Sequence, residues 1–161
     1  MAKTIFITGA SSGLGKATAK LYSKKGWNVY ATLRNPSSES ELNSFDNITS
    51  LPLDVTNIDE IRSTVQTAVS RNIIDVVFNN AGYGLSGPFE GTTDKQLAQQ
   101  INTNLLGVLR VTKAFLPHLR DQYIGTFITT TSIGGLVSFP FFYIYHAKKW
   151  ALEVWSESLA F

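Results

Sequence analysis

Cysteine is absent from the 161-residue sequence. The chain can therefore form no disulfide framework and offers no thiolate nucleophile, a composition that suits a reducing compartment. Long apolar runs are absent as well, because no stretch approaches the roughly 20 residues that a membrane-spanning helix needs. We expect a cytoplasmic protein with no membrane partner.

Neither sign of charge dominates the sequence. The net charge is +2, and the basic residues are scattered along the chain rather than clustered in one segment. This distribution does not imply a nucleic-acid partner. With 43% hydrophobic and 16% charged residues, and with no internal repeat or linker, the sequence predicts a single soluble globular domain over residues 1–161. We predict no metal site.

A glycine-rich turn lies between the first predicted strand and the first predicted helix. The strand covers residues 3–8, and the helix has Leu14, Ala17 and Leu21 on one face. In such a unit, glycines let the backbone approach a pyrophosphate, while free N–H groups at the helix start face the anion. Glycine-rich turns also close ordinary loops, but the position between strand and helix favours phosphate binding. The candidate cofactor-binding residues are Gly9, Ser11, Ser12, Gly13, Leu14 and Gly15.

Arginine lies at the tip of the second predicted strand, which covers residues 28–33. In a dinucleotide-binding fold this tip meets the adenosine ribose, where an acid suits a free 2′-hydroxyl and an arginine suits a 2′-phosphate. The residues here are Leu33 and Arg34, and no acid accompanies them. We therefore predict NADP(H) rather than NAD(H). The alternative is that Arg34 is an ordinary solvated loop residue.

A third predicted strand, residues 48–53, ends at Asp54 and Val55 on the expected cofactor side of the sheet. Asp54 either accepts a hydrogen bond from the adenine amino group or serves as a capping acid. Thr56 is the predicted N-cap of the next helix, whose buried face is predicted to begin at Ile58.

The fourth predicted strand, residues 73–78, is apolar enough to be covered on both faces, as in the centre of a parallel sheet. It runs into Asn79, Asn80, Ala81 and Gly82. Amides and a glycine at the carboxyl end of a buried strand suit a crevice against the cofactor. A plain tight turn is the alternative.

Helical periodicity returns from Leu97 onward and is interrupted near Asn104, an amide that faces either the core or the site. A fifth predicted strand, residues 125–131, ends at Ser132. Strands thus alternate with helices five times, which predicts an α/β fold with a doubly wound parallel sheet. Ligands of such sheets bind outside the carboxyl ends of the strands, where the candidate residues above fall.

Tyrosine and lysine lie four residues apart in the last predicted helix, at Tyr145 and Lys149. This spacing places a phenol and an ammonium on one helix face, where the cation favours ionisation of the phenol for proton transfer. An ordinary solvated helix face gives the same spacing. Ser132 precedes Tyr145 by thirteen residues, which is enough for a loop and one helical turn to bring the two hydroxyls together.

The ordered set of these motifs resembles the short-chain dehydrogenase/reductase family. The residues that carry the resemblance are Thr8 to Gly15, Asn79 to Gly82, Asn104, Ser132, Tyr145 and Lys149. The resemblance covers the whole chain and implies a Rossmann-like sheet of strand order 3-2-1-4-5 in which the C-terminal strands are missing. Since family members continue into two further strands, we expect residues 1–161 to be C-terminally incomplete.

The resemblance also implies a role for each catalytic candidate. Tyr145 would be the acid that protonates the carbonyl oxygen in reduction. Lys149 would favour the ionised phenol and hold the nicotinamide ribose. Ser132 would donate to the substrate oxygen, and Asn104 would hold a water that relays protons to Lys149. The implied activity is hydride transfer between NADP(H) and a carbonyl or alcohol.

Two residues depart from the family pattern within the Tyr145 to Lys149 segment. His146 and Lys148 occupy positions that are usually small or serine. We expect both side chains to be solvated and to lie off the catalytic face.

The aromatic run from Phe139 to Tyr143 is the one indication of a substrate class. These side chains either line a pocket for a hydrophobic carbonyl or alcohol, or pack at a helix start or subunit contact. By the resemblance, the helices of Asn104 and Tyr145 would form a homo-oligomer interface. The alternative functions are a non-catalytic nucleotide-binding sensor or scaffold and, third, a methyltransferase, which gives no reason for Tyr145 and Lys149.

Overall fold

The computed structural model describes residues 2–159, and its centre is one five-stranded parallel sheet. The strand order is β3-β2-β1-β4-β5, and every neighbouring pair is parallel. The predicted fold class and strand order are therefore confirmed. The strands are β1 (Thr4–Thr8), β2 (Asn28–Leu33), β3 (Ile48–Pro52), β4 (Val76–Asn79) and β5 (Thr126–Thr129).

In the described part of the chain, five α-helices accompany the sheet. A π-helical segment, Asn102–Leu106, joins the third helix to the fourth without a loop. Within residues 2–159, no helix has the length and apolar character to cross a membrane. The helices are α1 (Gly13–Lys24), α2 (Ile58–Val69), α3 (Asp94–Ile101), α4 (Gly107–Gln122) and α5 (Tyr143–Leu159).

Side chains of β1 alternate between two separate cores. Phe6 points to the face covered by α2 and α4, where its ring meets Phe115 edge to face at 4.8 Å. Ile5 and Ile7 point to the opposite face and pack with Ala19 of α1. Because both faces of β1 are covered, the strand is apolar throughout, as expected for the middle of a parallel sheet.

The apolar face that helical spacing gives to α1 is not the face that the structure buries. Leu14 is 59% exposed and Leu21 is also exposed, whereas Gly15 and Ala19 face the sheet. A Cβ on Gly15 would lie 2.4 Å from the carbonyl oxygen of Gly9, so this helix face must be small to approach the sheet. Close packing, rather than hydrophobic periodicity, selects the buried residues of α1.

Two other predicted boundaries shift in the structure. The fourth strand begins at Val76, and the exposed Ile73 precedes it in a connection. The N-cap of α2 is Asn57 rather than Thr56, since the Asn57 side chain accepts bonds from two N–H groups of the first helical turn. Ile58 is exposed because it lies in that turn, before the helix reaches the sheet.

Loss of the Phe115 ring should strongly destabilise the fold. Phe115 is fully buried, so Phe115→Ala leaves a cavity beside β1 and should lower the free energy of unfolding by about 3–5 kcal/mol. Leu116→Ala, at the partly exposed next position, should cost about 1 kcal/mol or less. Urea unfolding of the two variants checks this, and equal losses would contradict the assigned core.

Candidate active site

The end of β1 and the turn after β4 lie in direct contact. Gly9 has a positive φ of 69°, and a Cβ there would lie 2.7 Å from the Cα of Ala81. The Thr8 hydroxyl accepts bonds from the backbone N–H groups of Asn80 and Ala81, both at 3.0 Å. Thr8 has no predicted role of its own, yet it fixes this junction. Its sequence signal is a hydroxyl at the last strand position before the glycines.

The Asn80 side chain closes the same junction from the other side. Its amide nitrogen donates to the carbonyl oxygens of Thr8 and Gly9, both at 3.1 Å. We call residues Asn80–Tyr83 the β4 turn. Of the predicted cofactor residues, Asn80 and Ala81 thus stand against the glycine loop, as a shared crevice requires, and Gly82 faces Asn104.

The start of α1 is open to an anion. Its N-cap residue, Ser12, is extended and makes no side-chain capping bond, and the first turn carries no acid. By contrast, Asn57 caps α2 and Thr93 caps α3 in a full capping box. Ser11, Ser12, Gly13 and Leu14 are exposed here. Free N–H groups and the positive end of the helix dipole therefore face solvent where a pyrophosphate would bind.

Arg34 lies exposed just beyond β2 and, among the described residues, forms no ion pair. Two acids follow it at Glu39 and Glu41, but Lys16 of α1 pairs with both, at 3.1 and 2.9 Å. Lys20 also bonds Glu41, and these two lysines lower the pKa of Glu41 to about 2. This ion-pair cluster was missed from the sequence because its members are remote along the chain.

Asp54 shapes the turn into α2. One of its carboxylate oxygens accepts from the backbone N–H of Thr56 at 2.8 Å and from the Thr56 hydroxyl at 2.7 Å. Thr56 precedes α2, whose N-cap is Asn57, so this oxygen closes a turn before the helix rather than capping it. A contact of Asp54 with adenine stays a prediction. Val55 is buried against Gly107, where a Cβ would lie 2.9 Å from the valine side chain, so the segment supports the start of α4.

Asn104 is buried in the π-helical segment and faces the β4 turn. Its amide nitrogen donates to the Tyr83 carbonyl at 2.7 Å, and its amide oxygen accepts from the Tyr83 N–H at 3.3 Å. A Cβ on Gly82 would lie 3.2 Å from the same amide nitrogen. The side chain therefore holds the β4 turn, and a water-relay role for Asn104 stays a prediction.

Ser132 begins a turn that packs on the helix of Tyr145, and the predicted meeting of the two hydroxyls stays a prediction. We call residues Ser132–Gly135 the Ser132 turn. Within it, the Ser132 hydroxyl oxygen accepts from the Gly134 N–H at 3.1 Å. A Cβ on Gly134 would lie 3.4 Å from the Tyr145 ring and 2.5 Å from the His146 ring, so the turn rests directly on α5.

Lys149 is buried behind Tyr145. Its ammonium donates to the Thr130 carbonyl just beyond β5 and lies 5.9 Å from the centre of the Tyr145 ring. Burial lowers the pKa of Lys149 below its ordinary value. The Thr130 hydroxyl in turn contacts the Asn80 amide oxygen at 3.4 Å, which connects this lysine to the β4 turn.

The predicted solvation of His146 is wrong. Its ring is buried, stacks on Phe142 at 5.6 Å, and accepts a bond from the Phe139 N–H at Nδ1, at 3.2 Å. His146 thus anchors the chain between the Ser132 turn and α5. Helical spacing puts His146 on a different face of α5 from Tyr145 and Lys149. That face is buried all the same, because the Ser132 turn packs on it.

The predicted solvation of Lys148 is wrong as well. This side chain is only 1% exposed, its amine donates to the Tyr83 carbonyl at 3.1 Å, and it lies 4.5 Å from the centre of the Tyr145 ring. Burial, then the charge of Lys149, lowers the pKa of Lys148 to about 7. The β4 turn covers this side of α5, which helical periodicity does not reveal.

The aromatic run forms an open concavity of about 600 Å³ on α5. Because Tyr143 and Trp150 are seven residues apart, this concavity lies on one helix face, while Tyr145 points to the opposite side. Its lining residues are Ser138, Phe139, Pro140, Tyr143, His146, Ala147 and Trp150.

Sequence comparison places the chain beside known oxidoreductases. A sequence profile described as short chain dehydrogenase matches residues 3–161. The 3-ketodihydrosphingosine reductase of Bacteroides thetaiotaomicron is 41% identical over 157 residues, which cover 97% of this chain and 56% of that protein. The chain thus spans little more than half the length of this relative.

Solved structures show the same architecture. A short-chain dehydrogenase from Streptomyces avermitilis matches with a TM-score of 0.95 and 36% identity, over 99% of this chain and 60% of that one. The structure of ElxO with NADP bound matches with a TM-score of 0.89 and 32% identity, over 94% of this chain and 64% of that one.

Substitution of Gly15 should disrupt the glycine loop. Alanine is the better helix former by roughly 1 kcal/mol, but its Cβ would overlap the Gly9 carbonyl and, at 2.5 Å, the Asn80 amide. We expect Gly15→Ala to lower the free energy of unfolding by more than about 1 kcal/mol. Gly84→Ala, where the added Cβ meets open space, should change it by about 0.5 kcal/mol or less. A Gly15→Ala variant as stable as the parent in urea would contradict the close approach.

Proposed function

The chain belongs to the short-chain dehydrogenase/reductase family, and we propose that it transfers a hydride between NADP(H) and a carbonyl or alcohol substrate. The observation that carries the proposal is the placement of Tyr145, with Lys149 behind it and the Ser132 turn against its ring. These groups lie past the carboxyl end of β5, on the edge of the sheet that also holds the glycine loop.

The cofactor fits the carboxyl edge of the sheet. The uncapped start of α1 suits the pyrophosphate, and the β4 turn forms the opposite wall of the crevice. When bound, the nicotinamide supplies or accepts the hydride. The protein residues provide the binding, the placement and the proton.

The choice of NADP(H) rests on charge at the tip of β2. Arg34 is free to meet a 2′-phosphate, and Lys16 and Lys20 together neutralise the acids that would repel it, Glu39 and Glu41. NADP bound to the structural neighbour ElxO agrees with this choice. Asp54 and Val55 support the adenine side of the crevice.

Tyr145 acts as the proton donor in the reductive direction. Its phenol gives a proton to the carbonyl oxygen as hydride reaches the carbon, and the same phenol takes the proton back in oxidation. The buried Lys149 ammonium stabilises the negative charge left on the phenol. Because the Ser132 oxygen accepts from the Gly134 N–H, its own O–H remains free to donate to the substrate oxygen.

The substrate is a hydrophobic ketone, aldehyde or alcohol in this proposal. The support is Phe142, an exposed ring whose centre lies 6.0 Å from that of Tyr145, whereas the concavity on α5 faces away from Tyr145. Exposed Trp150 and Val154 on the outer face of α5 fit the proposed homo-oligomer contact through α4 and α5.

Removal of the Tyr145 hydroxyl should abolish turnover. With a panel of aldehydes and ketones, we expect Tyr145→Phe to lower kcat for NADPH oxidation at least about a hundredfold, because the proton donor is lost. The cofactor should still bind, since its phosphate site is untouched. Tyr123→Phe, which removes an exposed phenol at the end of α4, should leave kcat unchanged.

Each result of that experiment has a defined meaning. Equal activity of the parent and Tyr145→Phe would exclude the proposed proton donor. Cofactor binding with no turnover by the parent chain would favour the alternative, a nucleotide-binding sensor or scaffold.

Reversal of charge at Arg34 should change the cofactor preference. We expect Arg34→Asp to weaken NADPH binding about tenfold or more, with a much smaller effect on NADH, which lacks the 2′-phosphate. Fluorescence titration with each cofactor measures this. Arg120→Asp is the matched control, because Arg120 is exposed near the end of α4, at the opposite edge of the sheet. Equal losses for the two cofactors would show that Arg34 does not read the phosphate.

A further inference from the structure

Lys148 is a buried lysine that the proposed reaction leaves without a role. It lies in α5, three residues after Tyr145. Among the described residues it is one of the largest side chains that are fully buried. Its amine meets the Tyr83 carbonyl at 3.1 Å, the Tyr145 ring centre at 4.5 Å and the Tyr83 ring centre at 5.9 Å. No exposed helix position would offer these contacts.

We propose that Lys148 is a positioning residue: its amine clamps the β4 turn to α5 and holds the ring of Tyr145. The clamp itself is a property of this chain. Its effect on turnover rests on the proposed function of Tyr145.

The Tyr83 carbonyl oxygen is the atom of the β4 turn that Lys148 binds. It accepts from the Asn104 amide at 2.7 Å, from the Lys148 amine at 3.1 Å and from the Gln100 amide at 3.3 Å. A carbonyl oxygen has two lone pairs, so three donors compete for it, and a charged donor forms the stronger bond. One backbone atom thereby joins the β4 turn to α3, to the π-helical segment and to α5.

The second contact fixes the orientation of the phenol. A cation over an aromatic face is attracted by the negative face of the ring, most strongly when both are desolvated. Lys148 lies 4.5 Å from the Tyr145 ring centre, whereas Lys149 lies 5.9 Å away and is bonded to Thr130. Lys148 is therefore the nearer cation, and it restrains the ring that rests on the Ser132 turn.

The charge on this clamp responds to pH near neutrality. The groups that face the amine are Lys149, a like charge, the two tyrosines Tyr83 and Tyr145, and the neutral amides of Gln100 and Asn104. Burial first, and Lys149 second, lower its pKa from 10.5 to about 7. Below that pH the ammonium holds the ring. Above it the neutral amine can still donate to Tyr83, but its attraction to the ring is lost.

The lowered pKa also has a consequence for stability. Between about pH 7 and 10.5 the unfolded chain holds the Lys148 proton and the folded chain does not. The free energy of unfolding therefore rises with pH across that interval and is lowest below it. Lys148→Met should remove this one-proton dependence, whereas Lys113→Met, at an exposed position of α4, should keep it.

An NMR titration of the intact chain tests the clamp without turnover. Tyrosine rings are labelled with ¹³C, and the Tyr145 resonance is identified by its absence from Tyr145→Phe. We expect this resonance to shift with a midpoint near pH 7 in the parent and in Lys113→Met, and to lose that shift in Lys148→Met. Lys148→Arg, a cation at every pH used, should hold the resonance near the low-pH position of the parent.

Three outcomes would overturn the proposal. The first is a parent resonance with no transition near pH 7. The second is the same transition in Lys148→Met. The third is a Lys148→Arg resonance that matches Lys148→Met, which would exclude charge as the cause. If Lys148→Met fails to fold, Lys148→Arg still decides, because a transition in Lys148→Arg like that of the parent would exclude Lys148 as its source; the His146 ring, 6.1 Å from that of Tyr145, would be the other candidate.

Turnover gives an independent readout. If the chain reduces carbonyls, Lys148→Met should lower kcat about tenfold with a smaller effect on KM, because a misoriented phenol slows the proton transfer rather than binding. Lys148→Arg should recover part of kcat at low pH. Failure of the parent to turn over would count against the proposed function, and the NMR titration would still decide the role of Lys148.

Discussion

The structure depends on one close approach, where the backbone after β1 meets the β4 turn. Gly9 lies so close to Ala81 that a side chain would not fit, its φ is positive, and the Thr8 hydroxyl and Asn80 amide fasten the two segments together. Because β1 and β4 lie on either side of the point where strand order reverses, this junction opens a crevice at the carboxyl edge of the sheet. The α1 helix must begin inside that crevice, which explains its small, glycine-bearing face.

A second layer of contacts fixes α5 against this edge from two sides. On one side the Ser132 turn rests on Tyr145 and His146. On the other, Lys149 reaches the strand end through Thr130, and Lys148 reaches the β4 turn. The phenol is therefore held by bonds that run back to the glycine junction, so its placement and that of the cofactor crevice are linked.

Electrostatics follow from the same packing. The helix start at α1 keeps its N–H groups uncapped, and Lys16 and Lys20 balance the two acids beyond β2, so the helix dipole and Arg34 favour an anion on the phosphate side of the crevice. The two lysines of α5 are buried side by side with lowered pKa values. A buried ammonium has lost its hydration, so it interacts strongly with any negative charge nearby. Both lysines therefore favour negative charge on the neighbouring Tyr145 phenol.

Much of this arrangement was determined by the sequence alone. Alternating strands and helices were enough for the parallel α/β fold, and the strand order came from the family resemblance that the glycine loop, Asn104, Ser132, Tyr145 and Lys149 carry. Strands, helices and turns depend on local periodicity and turn residues, which can be read from the sequence directly. The predicted roles of these residues still await the experiments.

Tertiary structure alone decided which side chains are covered. Leu14 and Leu21 are exposed, although they have helical spacing, because only glycine and alanine let α1 approach the sheet. His146 and Lys148 are buried because two turns, remote along the chain, close over α5. Burial of this kind is set by contacts between segments that are distant along the chain. The sequence of one helix does not indicate which remote segment will cover it.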